Sequence, residues 1–190
     1  LKSGPKKGGF TEAAEEYAFR AAVQRISGAP LDEGFSTWAM KRGNELEPEA
    51  RAWVEVKLGI FVDTAGFVTT DDEKFGASAD GFIGKDGGLE IKCLVDPDCI
   101  RNVILNDDIS EFTDQIQGGM WLTGRKWWQF ALFCPALEKI GLQLYTKRVE
   151  RDDNYINEME LDLLEFERVV SKYEQTLRDR GMAEEFKEAA

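Results

Sequence analysis

The sequence predicts an α/β fold in which a mixed central β-sheet is flanked by helices. Three observations carry this expectation. Apolar residues recur at helical spacing near both ends of the chain. The middle holds an alternating segment, Leu89-Glu90-Ile91-Lys92-Cys93, and a continuous apolar run, Trp127 to Cys134, which read as strands. A helical stretch lies between those two segments, so helices and strands interleave along the chain. With 190 residues, 43% of them hydrophobic and 32% charged, a single globular domain with a proper core is expected.

The elements follow in order. Residues 1–9 read as a flexible basic segment, with Lys2, Lys6 and Lys7 solvated. Thr11, followed by Glu12, Glu15 and Glu16, opens a helix whose N-terminal dipole favours those acids. Its apolar face is assigned to Tyr17, Ala21, Ala22 and Ile26, and Gly28-Ala29-Pro30 ends it. A second helix runs from about Ser36 to Leu58 on the stripe Trp38, Leu46, Ala50, Val54 and Leu58. Pro48 must kink it or start a new helical segment, because its ring blocks the preceding turn. Gly66 to Thr70 is a short strand entering the acidic turn Asp71-Asp72-Glu73.

A hairpin comes next, from Ser78 to Cys93. Phe82-Ile83 leads into a turn carrying Gly84, Asp86, Gly87 and Gly88, and the strand Leu89–Cys93 returns. Pro97 to Asn106 and Glu111 to Leu122 have helical patterns, the second containing Asp114-Gln115-Ile116-Gln117. Trp127 to Cys134 has the composition of a buried central strand, and the alternating Leu142 to Val149 reads as its neighbour. A C-terminal helix of about 156–180 carries the stripe Met159, Leu163, Phe166, Val170, Tyr173 and Leu177.

The chemistry concentrates in the hairpin. Residues two apart on a strand share a face, so Glu90 and Lys92 point together while Leu89 and Ile91 pack inward. A hairpin of this length brings Asp80 across from the returning strand. Two carboxylates and an ammonium then converge, a donor set suited to Mg²⁺, with the Ile91 carbonyl completing the protein share. Such an ion lowers the pKa of bound water and stabilises charge on a phosphoryl group, and Lys92 could orient that water. The plain alternative is a solvated Glu90–Lys92 pair on an exposed face, worth little. Glu47 and Arg51, four apart, likewise read as a helix-surface ion pair.

Composition narrows the chemistry. The chain has no histidine, which excludes Ser-His-Asp and Cys-His catalysis, HExxH zinc sites and histidine–metal nucleases. Cys93, Cys99 and Cys134 form neither an even set nor a Cys-x-x-Cys pair, which argues against a disulfide framework or zinc site and for a reducing cytoplasm. No membrane span or signal peptide is expected, and because Leu1 rather than Met comes first, part of the natural N-terminus is expected to be missing. A net charge of −12 argues against a simple nucleic-acid coat but not against an enzyme with a local basic channel.

Four separated pieces resemble one family. Ser78-Ala79-Asp80-Gly81 with Leu89-Glu90-Ile91-Lys92-Cys93 resembles the PD-(D/E)xK nuclease core in its phage lambda exonuclease, or YqaJ-like viral recombinase, form. The segment Gly43 to Arg51 is similar to that family's Gly-x-x-x-Glu-x-x-Ala-Arg stretch, and Gln115-Ile116-Gln117 to its Gln-x-Gln helix; the aromatic strand Trp127 to Phe133 also fits. The resemblance runs from about residue 3 to 178 and implies a restriction-endonuclease-like core. By it, Asp80, Glu90 and the Ile91 carbonyl bind Mg²⁺ (or Mn²⁺), and Lys92 activates water. It also gives Glu47 the place of the upstream acid and lets Gln115 line the site. It further implies degradation of one strand of linear double-stranded DNA, 5′ to 3′ and processively, from DNA ends. The implied setting is phage or prophage recombination in the cytoplasm of a bacterial host, as a ring-shaped homo-oligomeric trimer acting with a single-strand annealing protein. An endonuclease or junction resolvase on the same core, or a catalytically silent DNA-binding scaffold, is the alternative. Two departures stand out: Ala79 replaces the family's Pro, and the family's N-terminal end-reading stretch is missing, so no residue is assigned to end recognition.

Overall fold

The protein, described here from a computed structural model, is defined over residues 10–31 and 37–188. The basic segment 1–9 and the expected helix start at Ser36 lie outside the described residues. The chain packs into two compact units. One comprises residues 36–156, and the other residues 1–35 with 157–190.

In the smaller unit, α1 (Glu12–Ser27) begins where the Thr11 side chain accepts from the Ala14 N–H, and Gly28 ends it in the left-handed conformation. Its buried face agrees with the expected one in part. Ala22 is buried as expected and Ala21 packs beside it, but Ala14 and Ala18 are buried too, whereas Tyr17 and Ile26 are exposed. Ala14, Ala18 and Ala22 recur every four residues and let α1 approach α5 (Asp153–Glu188) closely, against Phe166 and Val170. Arg25 donates to both carboxylate oxygens of Glu167 at 2.8 and 2.6 Å. The last helix begins earlier and ends later than the expected 156–180.

The larger unit holds the sheet. α2 (Trp38–Leu58) is one element through Pro48, so no new helical segment starts there. Its Ala50 and Val54 are buried, while Trp38 at its first turn stays exposed. β1 (Phe67–Thr69) pairs antiparallel with β2 (Gly76–Ser78), forming a small separate sheet around the acidic turn. β2 was not expected from the sequence. The main sheet has the order β3 (Gly81–Ile83), β4 (Gly87–Lys92), β5 (Trp127–Phe133), β6 (Leu144–Glu150). β3 and β4 are antiparallel, β4 and β5 parallel, β5 and β6 antiparallel. The sheet is therefore mixed. The parallel step requires a crossover, supplied by α3 (Pro97–Asn106), a 3₁₀ turn Ser110–Phe112 and α4 (Thr113–Thr123).

The two faces of the sheet divide by register. Leu89 and Ile91 of β4, Ala131 and Phe133 of β5 and Leu144 of β6 pack with Ala50 and Val54 of α2. The opposite face carries Gly88, Glu90 and Lys92, aligned with Trp128, Phe130 and Leu132. There the Phe112 ring stacks on Phe130 at 4.9 Å, and Gly119 of α4 abuts Trp128. Gly87 and Gly88 belong to β4, not to the turn expected before it. A Cβ at Gly88 would lie 2.3 Å from the Trp128 ring, so the strand there accepts no side chain. Among the described residues, no helix is long and apolar enough to cross a membrane.

Candidate active site

The C-terminal half of β4 is the point on which the site is built. Asp80 sits just before β3, and its own N–H donates to the Leu89 carbonyl at 3.1 Å. That ladder bond holds Asp80 beside β4, where its Oδ2 accepts from the Ile91 N–H at 2.5 Å. Glu90 and Lys92 share a face as expected, and Lys92 Nζ lies 2.6 Å from Glu90 Oε1. Lys92 also donates to Gln115 Oε1 at 2.8 Å, which brings α4 to the site. The hairpin and the first turn of α4 thus meet at one ammonium group.

Burial decides between the two readings of the Glu90–Lys92 pair. Glu90 is only 3% exposed, so it is no solvated surface residue. Taking a carboxylate out of water penalises its charged form. Burial accordingly pushes the Glu90 carboxyl up to about 7, Lys92 opposing the rise and the Asp80 charge adding to it. The Asp80 carboxyl is raised for the same first reason; the Ile91 N–H and Lys92 pull it back, and Glu47 pushes it further up.

Glu47 stands apart from the hydrogen-bonded group. It receives Arg51 Nη2 at 2.5 Å, as the spacing on α2 led one to expect. Its charge nonetheless acts on both Asp80 and Glu90, so α2 delivers a third carboxylate to the same electrostatic environment. Two further residues of this region were not singled out from sequence. The Phe112 ring lies 5.6 Å from Lys92 Nζ, a cation–π contact. Arg42 of α2 donates to the carbonyl of Cys93, the residue after Lys92, at 3.3 Å. The three-residue spacing of Phe112 to Gln115 was the one available signal for the first; nothing in the spacing marked the second.

The donor set fits a hard divalent cation. Asp80, Glu90 and the Ile91 carbonyl offer oxygen only, and the two buried carboxyls lack enough nearby positive charge to hold both at ordinary carboxylate values. Among the described residues, no group of three Asp, Glu, Cys or His side chains is placed to hold a metal ion by itself. A hard cation such as Mg²⁺ takes one or two carboxylates and completes its shell with carbonyl, water and phosphate oxygens.

The chain has relatives among known proteins. Residues 12–126 match a family described as the YqaJ-like viral recombinase domain. Among solved structures, the chain is similar to the alkaline exonuclease LHK-Exo of Laribacter hongkongensis, with 30% identity and a TM-score of 0.81 over 93% of this chain and 89% of that one. LHK-Exo in complex with dAMP gives 31% identity and a TM-score of 0.82 over 91% and 87%. A phage-related exonuclease from Haemophilus somnus 129PT shares the fold at 19% identity and a TM-score of 0.68, over 90% and 84%. The chain matches no curated protein sequence.

Proposed function

This chain belongs to the YqaJ-like viral recombinase family, and from that premise we propose that it is a metal-dependent deoxyribonuclease that shortens one strand of linear duplex DNA from its end. The observation that carries the reading is the grouping at the end of β4, where Glu90 and Gln115 both hold Lys92 and Asp80 is held by the N–H of Ile91, between Glu90 and Lys92 in the chain. The similarity to an alkaline exonuclease, and to that enzyme in complex with dAMP, supports it. A deoxynucleoside monophosphate is the unit released when a strand is removed one residue at a time.

Asp80, Glu90 and the Ile91 carbonyl would hold Mg²⁺, or Mn²⁺ in its place. When bound, such an ion supplies positive charge to the phosphoryl oxygens and lowers the pKa of water at the site. Lys92 is held by two oxygen acceptors, so its ammonium is fixed before substrate arrives and can orient the attacking water or stabilise the oxyanion. Gln115 keeps its amide N–H₂ for a phosphate or water while its oxygen holds Lys92. Glu47, tied to Arg51, adds negative charge that acts on Asp80 and would favour a bound cation there. Action from the 5′ end, processivity, a trimeric ring, an annealing partner and a cytoplasmic role in phage-type recombination form the finer part of the proposal.

Incubation with duplexes labelled at the 5′ or 3′ end, beside a covalently closed circle, tests it. Loss of label from linear duplex in Mg²⁺, with the circle intact, is expected. Cutting of the circle would refute exonuclease action.

A further inference from the structure

The site crowds negative charge where a polyanion has to enter. The charges of Glu47 and Asp80 act on Glu90, and that of Glu47 on Asp80, and the chain as a whole carries −12. A phosphate approaching this point meets repulsion unless a cation receives it. The cations of the site differ in how far they are already engaged. Lys92 holds Glu90, and Arg51 holds Glu47. Arg42 holds no carboxylate among the described residues; its contact there is Nη1 to the Cys93 carbonyl at 3.3 Å.

That single contact places the guanidinium. Cys93 directly follows Lys92 in the chain, so the carbonyl anchors Arg42 one residue beyond the ammonium. Arg42 is half-buried on α2, five positions before Glu47, so the helix that supplies the third carboxylate also supplies this cation. A guanidinium presents five N–H donors in a rigid plane, and one carbonyl leaves most of them unused. Planar paired donors match two oxygens of a phosphate better than an ammonium does.

We propose that Arg42 binds a backbone phosphate of the DNA strand being cut and so positions that strand over the Asp80–Glu90–Lys92 cluster. The proposal rests on the nuclease reading above and adds to it a substrate contact for this chain. Arg42 acts on binding. Lys92 acts on the chemistry.

The test compares wild type, Arg42→Gln and Arg42→Lys in the full chain. It uses end-labelled linear duplex for cleavage, and anisotropy of the same duplex for binding, each across a salt series. Removal of one phosphate contact should lower the slope of log affinity against log salt by about one. Arg42→Gln is expected to raise KM about tenfold, the loss of one charge-assisted contact, and to leave kcat within about twofold. Arg42→Lys should keep the wild-type salt slope with an intermediate KM, because it retains the charge and a donor for the Cys93 carbonyl but loses the fork. If Arg42→Gln does not fold, Arg42→Lys carries the test, and a wild-type KM for it overturns the proposal. A fall in kcat at unchanged KM and salt slope also overturns it, since Arg42 would then serve to brace the strand next to Lys92. Duplex binding with the expected slope change but no cleavage by wild type refutes the nuclease reading and supports the Arg42 contact. No duplex binding by wild type overturns both.

Discussion

Lys92→Met is expected to lower the rate of duplex cleavage by about 10²–10⁴-fold, the range for losing a positioned proton-transfer or charge-stabilising group. The size follows from how the ammonium is held. Glu90 Oε1 at 2.6 Å, Gln115 Oε1 at 2.8 Å and the Phe112 ring at 5.6 Å fix it from three sides. A group so constrained acts without first reorganising, which is where most of its worth as a catalyst lies. Methionine keeps an unbranched apolar stem along the strand, so the packing changes little. What it loses is the positive charge beside a carboxylate only 3% exposed. The Glu90 carboxyl, already raised by burial, then loses the partner that opposes the rise. Single-turnover cleavage rates, taken with circular dichroism to confirm the fold, measure the effect. Activity within a few-fold of wild type would remove Lys92 from the mechanism.

Gly88→Val should destabilise the protein at or above the upper end of the roughly 1–3 kcal/mol typical of overpacking a core. Strand propensity alone argues the reverse, because valine is a strong strand former and glycine a weak one. Packing decides. A Cβ at Gly88 would meet Trp128 ring carbons at 2.3 Å, and a Cβ at Gly119 of α4 would meet the same ring at 2.9 Å. Trp128 is 1% exposed, and close-packed interiors leave little room for a ring to turn. The strand would have to separate from β5 or the indole leave its place, and either shift moves the strand that carries Glu90 and Lys92. Urea unfolding should show a lower midpoint at unchanged slope. Trp128→Leu in the same chain should recover part of the loss, because the smaller side chain frees the volume that valine needs. A Gly88→Val midpoint equal to or above wild type would contradict this picture of the interface between β4 and β5.

The glycines also show where the sequence could be read and where it could not. Gly87 and Gly88 beside Asp86 have the composition of a turn, and local chemistry placed them there. They are in β4 because Trp127 and Trp128, some forty positions later, lie against them across a parallel pair. No local pattern announces a partner strand that distant. β2, Gly76–Ser78, has no sequence signature for a related reason: glycine, alanine and serine have no strand preference, and the strand is defined by its pairing with β1. On α1 the large apolar residues Tyr17 and Ile26 suggest a buried face but are exposed; of the expected face Ala21 and Ala22 pack, and the contact with Phe166 and Val170 runs along small alanines. Buried strands with large apolar residues were legible. Trp127–Phe133 is continuous in hydrophobicity because both faces of β5 are covered.

The site was legible in unequal parts. Asp80, Glu90 and Lys92 could be grouped from the hairpin and the two-residue period, and the backbone bonds to Leu89 and Ile91 give that grouping its geometry. The burial of Glu90 could not be read, since it depends on elements packed over the sheet rather than on the strand itself. Gln115 and Glu47 came from family resemblance. For Gln115 the structure adds a direct hydrogen bond to Lys92; for Glu47 it adds a charge felt by Asp80 and a bond to Arg51. Arg42 had no signal beyond its closeness in sequence to Glu47, because its carbonyl partner lies fifty-one positions away.

Release of mononucleotides from a linear duplex by wild type and by Asp80→Asn, each in Mg²⁺ and in chelator, bears most directly on the site. Asparagine keeps the shape of Asp80 and an oxygen for the Ile91 N–H, so the strand pairing survives while a metal-binding charge is lost. Wild type should release mononucleotides in Mg²⁺ and none in chelator, and Asp80→Asn should release them at least about 10²-fold more slowly, the scale of a lost electrostatic contribution to the transition state. Undiminished release by Asp80→Asn, or release by wild type that persists in chelator, would contradict a metal-dependent site built on Asp80, Glu90 and Lys92.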